Sequence, residues 1–378
     1  MIRFAHFADL HLDAPFREAG RSGYSRQRRE DIKAALERIL QFSRAEKADF
    51  VLSAGDLYEH LYTTKNTIAW VSQRFSELSM PIVMIAGNHD PYVADSWYRL
   101  WPWPSNVVVI SEDRPGIFLE AQKTFIYGLG FSARKQGKPD LNKVPKPKEG
   151  CFNILMLHGT VDMDVGDQDY SPVSSEELAD LGYDYYALGH FHTRKSYPTL
   201  KNAFNPGSPE PLGFDEPGDH GFLWVEADNP SGGGDNLRVK DISTAARRYS
   251  RMSLDISDAA SSDELKMKIA ALLEGLDPDR DIIKLSLKGR TSLVIDDKAL
   301  HDAFFSQWLN ARLINDSKAP YDYEALSGER NLKGAFTAEM LARIKACPDE
   351  DRTRILKDAL ILGLEALETG RIESLKEI

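Results

Sequence analysis

Ile82-Val-Met-Ile-Ala-Gly-Asn-His-Asp90 is an apolar run of five residues stopped by a glycine and three polar groups. Pro81 punctuates before it, and a run this short reads as a buried strand rather than a helix. Asn88 and His89 have no packing reason to follow such a strand, so the break itself points to chemistry. Working outward, Phe50 to Ala54 has the same form and is broken by Gly55-Asp56. Between the two, Thr64 to Leu78 returns to helical period, with Ile68, Val71, Phe75 and Leu78 on one stripe. Ile2 to Ala8 alternates and ends in Asp9-Leu-His11. Gln27 to Ala48 places Ile32, Ala35, Leu36, Ile39, Leu40 and Phe42 at near-helical spacing. This βαβαβ opening implies parallel strands joined by crossover helices.

Beyond Asn106 the texture changes to short strands without intervening helices: Val107–Ile110, Ile117–Leu119 and Phe125–Tyr127. Phe152 to Leu157 is another apolar strand, ending at His158-Gly159. Ser174 to Leu181 opens with a capping-box pattern (Ser174, Glu177) and reads as a short helix. Tyr183 to Leu188 is a strand ending at Gly189-His190-Phe191-His192. Short strands follow near Arg194–Tyr197, Ala203–Asn205 and Phe222–Val225, and Leu237–Ile242 continues the alternation, so the Gly-rich stretch 229–235 reads as a hairpin loop. Residues 1–245 form one domain on this reading. Residues 246–295 (strand, helix, strand) form a small α/β module, and 296–378 a helical region with helices over 300–314, 336–345 and 351–367. In the last of these, Leu356, Leu360, Leu364 and Leu367 make one apolar stripe.

The chain has 378 residues, 42% hydrophobic and 28% charged, an ordinary globular composition. No apolar run approaches the ~20 residues of a membrane helix, and the opening residues lack a signal peptide's layout. Cys151 and Cys347 are too few for a disulfide framework, so a cytoplasmic location is expected. A net charge of −11 argues against a protein that coats nucleic acid non-specifically. Two basic clusters stand out: Arg134, Lys135, Lys138, Lys143, Lys146 and Lys148, and then Arg247, Arg248 and Arg251. Solvated surface charge is their plainer reading, and a local nucleic-acid groove the sharper one.

The polar breaks share a position, each just past the C-terminal end of a buried strand, which is where ligands bind in open α/β sheets. Together they bring two Asp, one Asn and several His. Mixed oxygen and imidazole donors suit Mn²⁺, Fe²⁺ or Zn²⁺. Asp-x-His offers two donors from one loop, and a carboxylate such as Asp56 can bridge two ions. Two ions ~4 Å apart are a common device for attack on phosphate. His6, His220 and His301 lie outside this set and read as structural or surface residues.

The series Asp9-Leu-His11, Gly55-Asp56, Gly87-Asn-His-Asp90, His158 and Gly189-His-Phe-His192 resembles the signature of calcineurin-like metallophosphoesterases. FNPGSPEPLGFDEPGDHGFLWVE, residues 204–226, and Arg247-Arg-Tyr249 resemble segments of SbcD-type DNA-repair nucleases, and the opening DLHLDAPF the YhaO-like branch of that group. The resemblance implies an α/β fold in four αββα layers, a two-sheet sandwich flanked by helices, with residues 246–295 as a DNA-positioning cap. It implies Asp9, His11, Asp56 and His192 around one divalent ion, and Asp56, Asn88, His158 and His190 around a second, with Mn²⁺ the favoured metal. His89 would be the non-ligand catalytic histidine, and Asp90 would orient it or hold its proton, or else serve as a helix cap. One position departs: where archaeal and eukaryotic relatives carry a phosphate-contacting histidine, this sequence has Glu59, followed by His60.

The expected activity is that of a Mn²⁺-dependent DNA exonuclease or endonuclease acting on duplex ends. The alternatives are a small-molecule phosphodiesterase or phosphatase on the same scaffold, or a nuclease subunit working within an SbcC-like ATPase complex. The resemblance implies that ATPase as a partner for the final leucine stripe, which otherwise packs on its own domain. A homodimer is a further expectation.

Overall fold

The computed structural model describes residues 1–17, 21–163, 169–228 and 237–370. The opening half contains β1 (Ile2–Phe7), α1 (Tyr24–Ala45), β2 (Phe50–Ala54), α2 (Lys65–Ser76), β3 (Ile82–Ile85), α3 (Trp97–Leu100) and β4 (Val107–Val109). There follow β5 (Gly116–Leu119), β6 (Thr124–Leu129), β7 (Phe152–His158), α4 (Ser175–Ala179), β8 (Tyr185–Gly189), β9 (Lys195–Tyr197), β10 (Leu200–Asn205), β11 (Gly221–Ala227) and β12 (Leu237–Ser243). The remaining elements are β13 (Arg248–Asp255), α5 (Ser262–Leu273), β14 (Asp281–Lys288), α6 (Asp297–Phe304), β15 (Ala311–Asn315), α7 (Tyr323–Ser327), α8 (Leu332–Ala346) and α9 (Glu350–Thr369).

Two six-stranded sheets run β12-β11-β1-β2-β3-β4 and β5-β6-β7-β8-β10-β9. β1, β2, β3 and β4 pair in parallel, as the crossover helices require, and β11 closes the other side of β1 antiparallel. Burial of both faces explains why the central strands are largely apolar. Ala5, Phe7, Val51, Ile82 and Met84 face Ile32, Leu36, Ile39, Ile68, Val71 and Phe75 of α1 and α2. Their neighbours Phe4, Phe50, Leu52, Val83 and Ile85 face Ile126, Ile154, Met156, Tyr185 and Ala187 of the second sheet. The outer side of that sheet packs Leu155, Leu157, Tyr186 and Leu188 against Leu178 of α4. Four layers result, αββα, as expected. Strands β11 and β12 pair over their full length, Ala227 opposite Leu237; the Gly-rich stretch 229–235 between them lies outside the described residues.

The chain forms two compact units. The first comprises residues 1–253, 269–286 and 296–314, the second 254–268, 287–295 and 315–378. Part of the small α/β module therefore belongs with the catalytic strands: Tyr249 joins Tyr24, Ile282 and Leu309 in one cluster, its hydroxyl 2.6 Å from that of Tyr24. The helix expected over 300–314 is corrected. α6 stops at Phe304, and 311–315 is the edge strand β15 in the sheet β13-β14-β15. Trp308, Leu309, Asn310 and Ala311 are buried there, and pairing with β14 outweighs a local helical pattern. In the second unit, Leu360 and Leu364 are buried against Met340 of α8, with Leu356 beside them, so most of the leucine stripe packs on its own unit.

Candidate metal centre

All five polar breaks come together at the C-terminal ends of β1, β2, β3, β7 and β8, although they are up to 183 positions apart in sequence (192 − 9). The backbone turns sharply to bring them back over the sheet edge: Asp9, His11, Asp56 and His190 all have positive φ, at 54°, 52°, 52° and 105°. Non-glycine residues adopt this region at a cost of about 1 kcal/mol or more each, sustained only where the surroundings fix it. Here they do. Asp9 donates its N–H to the Gly55 carbonyl and His11 donates to the Asp56 carbonyl. The His190 N–H donates to both oxygens of Asp9 at 3.0 Å. Gly87 and Gly55 are glycine for space: a Cβ at the first would strike the Asp56 carboxylate, and at the second the His158 ring.

Two poles meet at Asp56. At one, donor atoms of Asp9, His11 and His192 lie within 4.8 Å of one another, with His11 Nε2 3.0 Å from His192 Nε2. At the other, Asn88 Oδ1 is 3.1 Å from both His158 Nε2 and His190 Nδ1. Asp56 Oδ2 sits between them, 3.7 Å from His11 Nε2 and 3.3 Å from His158 Nε2. Three imidazoles are held from behind through Nδ1: His158 by the Ala54 carbonyl (2.8 Å), His192 by Glu216 (2.7 Å) and His11 by Glu59 (2.9 Å). Each back bond puts the proton on Nδ1 and leaves the Nε2 lone pair facing the shared space, as a metal-binding imidazole requires. The His190 ring stacks on Tyr170, centroids 5.2 Å apart.

The electrostatics favour cations. Asp9 and Asp56 are fully buried, and without positive charge burial would make both carboxylates costly. Burial pushes the Asp9 carboxyl up. Asp56 is held well below the usual range because His158 and His11 outweigh its burial. Burial works against charge on His158 and His192, but Asp56 raises the first to about 9 and Glu216 the second to about 9. His190, by contrast, is pushed down to about 3, chiefly by burial and then by His158. Paired carboxylates, an amide oxygen and four imidazoles are a donor set that fits two divalent ions.

His89 stands beside this set with its side chain 44% exposed. Its backbone N–H donates to Asp56 Oδ1 at 2.8 Å, and its ring lies edge-on to His11, centroids 4.8 Å apart. The ring's hydrogen-bond partner is Glu59, at 3.1 Å, which raises the imidazole's pKa. Asp90, expected to orient His89, hold its proton or cap a helix, makes its hydrogen bonds to the two turns. Its buried carboxylate accepts the N–H groups of Gly87, Asp56, Leu57 and Tyr58 and the Tyr98 hydroxyl. It ties the turn after β2 to the turn after β3.

The remaining motifs act as supports. In the 204–226 segment, Ser208 donates its N–H to the His192 carbonyl and its hydroxyl to Glu216, whose carboxylate also accepts the Leu212 N–H. Glu210 binds the fully buried Arg28. Arg247 forks onto Asp31 at 2.8 and 2.9 Å, Arg248 pairs with Asp281 and Arg251 with Asp215. That cluster is committed to carboxylates of its own chain. His6 is buried between the Tyr185 hydroxyl and the Leu188 carbonyl, and His220 between Ser208 and the Glu216 carbonyl. Glu216 and Tyr170 escaped the sequence reading because neither follows an apolar strand; Glu216 lay unmarked inside the segment whose resemblance was noted.

A model of the calcineurin-like phosphoesterase family matches residues 2–194. The chain is 27% identical over 274 residues to the uncharacterized metallophosphoesterase YhaO of Bacillus subtilis, covering 70% of this chain and 65% of that protein. It is 28% identical over 258 residues to the DNA double-strand break repair protein Mre11 of Methanopyrus kandleri, covering 60% and 54%. Against the protein of the same name from Methanocaldococcus jannaschii it is 27% identical over 215 residues, covering 54% of each. The matches thus span between about half and two thirds of these relatives' lengths. With the family's matched region ending just past His192, the chain belongs to the calcineurin-like phosphoesterases, metal-dependent hydrolases of phosphoester bonds.

Proposed function

We propose that this chain is a Mn²⁺-dependent phosphodiesterase that cleaves DNA, with duplex ends as substrate. The observation that carries the reading is the gathering of six donor side chains around Asp56, with the half-exposed imidazole of His89 at its edge, within 4.8 Å of donor atoms of His11 and Asp56 and bonded to Glu59. On this proposal Asp9, His11, Asp56 and His192 hold one ion, and Asp56, Asn88, His158 and His190 the other. When bound, such ions neutralise phosphoryl charge and acidify water at neutral pH. The chain's own contribution is proton placement. His89, whose pKa the Glu59 hydrogen bond raises, presents its other ring nitrogen to the departing sugar oxygen. Asp90 acts through the turn that carries Asn88 and His89.

DNA is favoured over a smaller ester by the Mre11 relatives and by the loop 132–138. That loop carries the exposed Arg134, with Lys135 and Lys138 paired to Asp169 and Glu177, and its Gln136 bonds to the backbone on either side of Tyr170, the residue stacked on His190. Basic side chains are thereby carried on the loop that is tied to Tyr170. A nucleotide-sized phosphodiester is the second reading, favoured by the net charge of −11 and by the engagement of Arg247, Arg248 and Arg251. The proposal includes residues 246–295 as a positioning module, a homodimer, a cytoplasmic setting and an SbcC-like ATPase partner. Exposed Leu332, Ile355 and Leu367 are the apolar groups of the C-terminal helices that such a partner would meet. Among the described residues, no helix is long and apolar enough to cross a membrane.

The test is an assay with Mn²⁺ and with Mg²⁺ on end-labelled duplex DNA, single strands, cyclic nucleotides and mononucleotides. Duplex cleavage that falls steeply with added salt is expected. Turnover of nucleotides with the duplex left intact would transfer the reading to the small-molecule class.

A further inference from the structure

Glu59 replaces the expected phosphate-contacting histidine, and its placement gives it a different use. Both carboxylate oxygens are engaged, each by a different imidazole: Oε1 lies 2.9 Å from His11 Nδ1, and Oε2 lies 3.1 Å from His89 Nδ1. The two rings meet edge to face on that carboxylate, centroids 4.8 Å apart and planes at 84°. Glu59 itself is rigid. Its N–H donates to the Leu12 carbonyl, its own carbonyl accepts from Tyr62 and Thr63, and the next residue, His60, donates its N–H to the His89 carbonyl. Its side chain is only 13% exposed.

We infer that Glu59 is a positioning residue that fixes one ligand of the metal centre and the proton-donating histidine through a single carboxylate, so that metal affinity and proton transfer share one support. The inference rests on the phosphoesterase reading of the centre and adds the residue that joins its two halves. The physical reason is one of donor and acceptor count. A carboxylate has only acceptors, so it can take an N–H from both rings at once. Both rings then carry hydrogen on Nδ1. His11 is left with a bare Nε2 facing His192, 3.0 Å away, which is the form that binds metal. His89 is left with Nε2 unclaimed by Glu59, on the more exposed ring of the pair, 44% against 1% for His11.

Glutamine makes the demand visible, because its amide has one acceptor and one donor group. Whichever ring meets the NH₂ must accept rather than donate at Nδ1. If that ring is His11, its hydrogen moves to Nε2 and the ligand is lost. If it is His89, that ring loses its bond to the support, and His11 is left on a neutral amide oxygen, a weaker acceptor than the carboxylate. Aspartate keeps the charge but is one methylene shorter, and cannot span both rings.

The experiment measures Mn²⁺ affinity by calorimetric titration and turnover of bis(4-nitrophenyl) phosphate for wild type, Glu59→Gln, Glu59→Asp, His89→Ala and the double variant Glu59→Gln/His89→Ala. Thermal melting in chelator is the folding control. His89→Ala is expected to bind Mn²⁺ as wild type does and to lose about 10²-fold or more in turnover. Glu59→Gln is expected to lose turnover and also about 10- to 100-fold in Mn²⁺ affinity. In the His89→Ala background, with Mn²⁺ held at saturation in the turnover assay, it should cost the same affinity but no further turnover. Glu59→Gln with wild-type Mn²⁺ affinity, or with turnover loss that multiplies with that of His89→Ala, overturns the inference and leaves the family reading intact. Should Glu59→Gln fold poorly, Glu59→Asp carries the same comparison. A wild-type chain that takes up no Mn²⁺ removes both.

Discussion

Glu216 Oε1 lies 2.7 Å from His192 Nδ1, on the side of the ring away from Asp9 and His11. The carboxylate is braced in turn by the Ser208 hydroxyl and the Leu212 N–H, both at 2.9 Å. A histidine whose back nitrogen is so held presents a fixed lone pair at the front. Glu216→Ala is therefore expected to weaken Mn²⁺ binding about 10- to 100-fold, in line with loss of a carboxylate behind a ligand. Calorimetric titration would check it, and unchanged affinity would detach Glu216 from the centre.

Asp90 is expected to reveal itself through stability rather than through proton transfer. Its carboxylate accepts four backbone N–H groups and the Tyr98 hydroxyl, all buried. Asparagine would set an NH₂ against some of those donors. Buried hydrogen bonds to a charged group contribute about 1.5–3 kcal/mol each, without adding fully. Asp90→Asn should lower unfolding free energy by about 3 kcal/mol or more in a denaturant titration, whereas His89→Ala should leave it nearly unchanged. The reverse pattern would return Asp90 to the role of His89's orienting group.

The fold was legible because its central strands are buried on both faces. Val51, Leu52, Val83 and Met84 leave no polar alternation to mislead, and the glycine breaks after β2 and β3 mark where each ends. The candidate donors were legible for the same reason, since a polar group directly after such a strand has no packing role. The supports were not. Glu59, Tyr170 and Glu216 act through side-chain bonds to residues 20 to 48 positions away (190 − 170 and 59 − 11), and nothing local in the sequence carries that pairing. β15 was missed because Leu300–Ile314 keeps an apolar spacing that suits a helix, while the unpaired edge of β14 claims its second half as strand.

Arg247 and Arg134 are expected to separate structural from nucleic-acid-facing charge. Arg247 is bound to Asp31 by two nitrogens and is largely buried, its side chain 14% exposed. Removing it leaves the Asp31 carboxylate to Arg28 and Gln27 alone, so Arg247→Ala should lower the melting temperature and leave the salt dependence of DNA binding as it was. Arg134 is exposed on the loop that carries Gln136. Arg134→Ala should leave the melting temperature in place, weaken duplex binding and reduce the slope of log affinity against log salt by about one. Fluorescence anisotropy across a salt series reads both; equal slopes for wild type and Arg134→Ala would take that residue off the DNA path.

His6 gives the protein an acid sensitivity that does not depend on the metal centre. Its ring is fully buried, its Nε2–H donated to the Leu188 carbonyl at 3.1 Å and its Nδ1 accepting from the Tyr185 hydroxyl at 2.9 Å. Burial pushes its pKa down to about 3, the Leu188 bond offsetting only part of that, against 6.5 for an ordinary histidine. The folded chain thus refuses a proton that the unfolded chain accepts. Stability from this residue is complete above pH 6.5 and is lost progressively as pH falls from there toward 3. An amide in its place can accept from Tyr185 and donate to Leu188 without titrating. His6→Gln is expected to be somewhat less stable than wild type at pH 7.5 and to decline less between pH 6.5 and 5. Melting temperatures taken in chelator across that range would show the two curves converging; parallel curves would mean that His6 is charged in the fold.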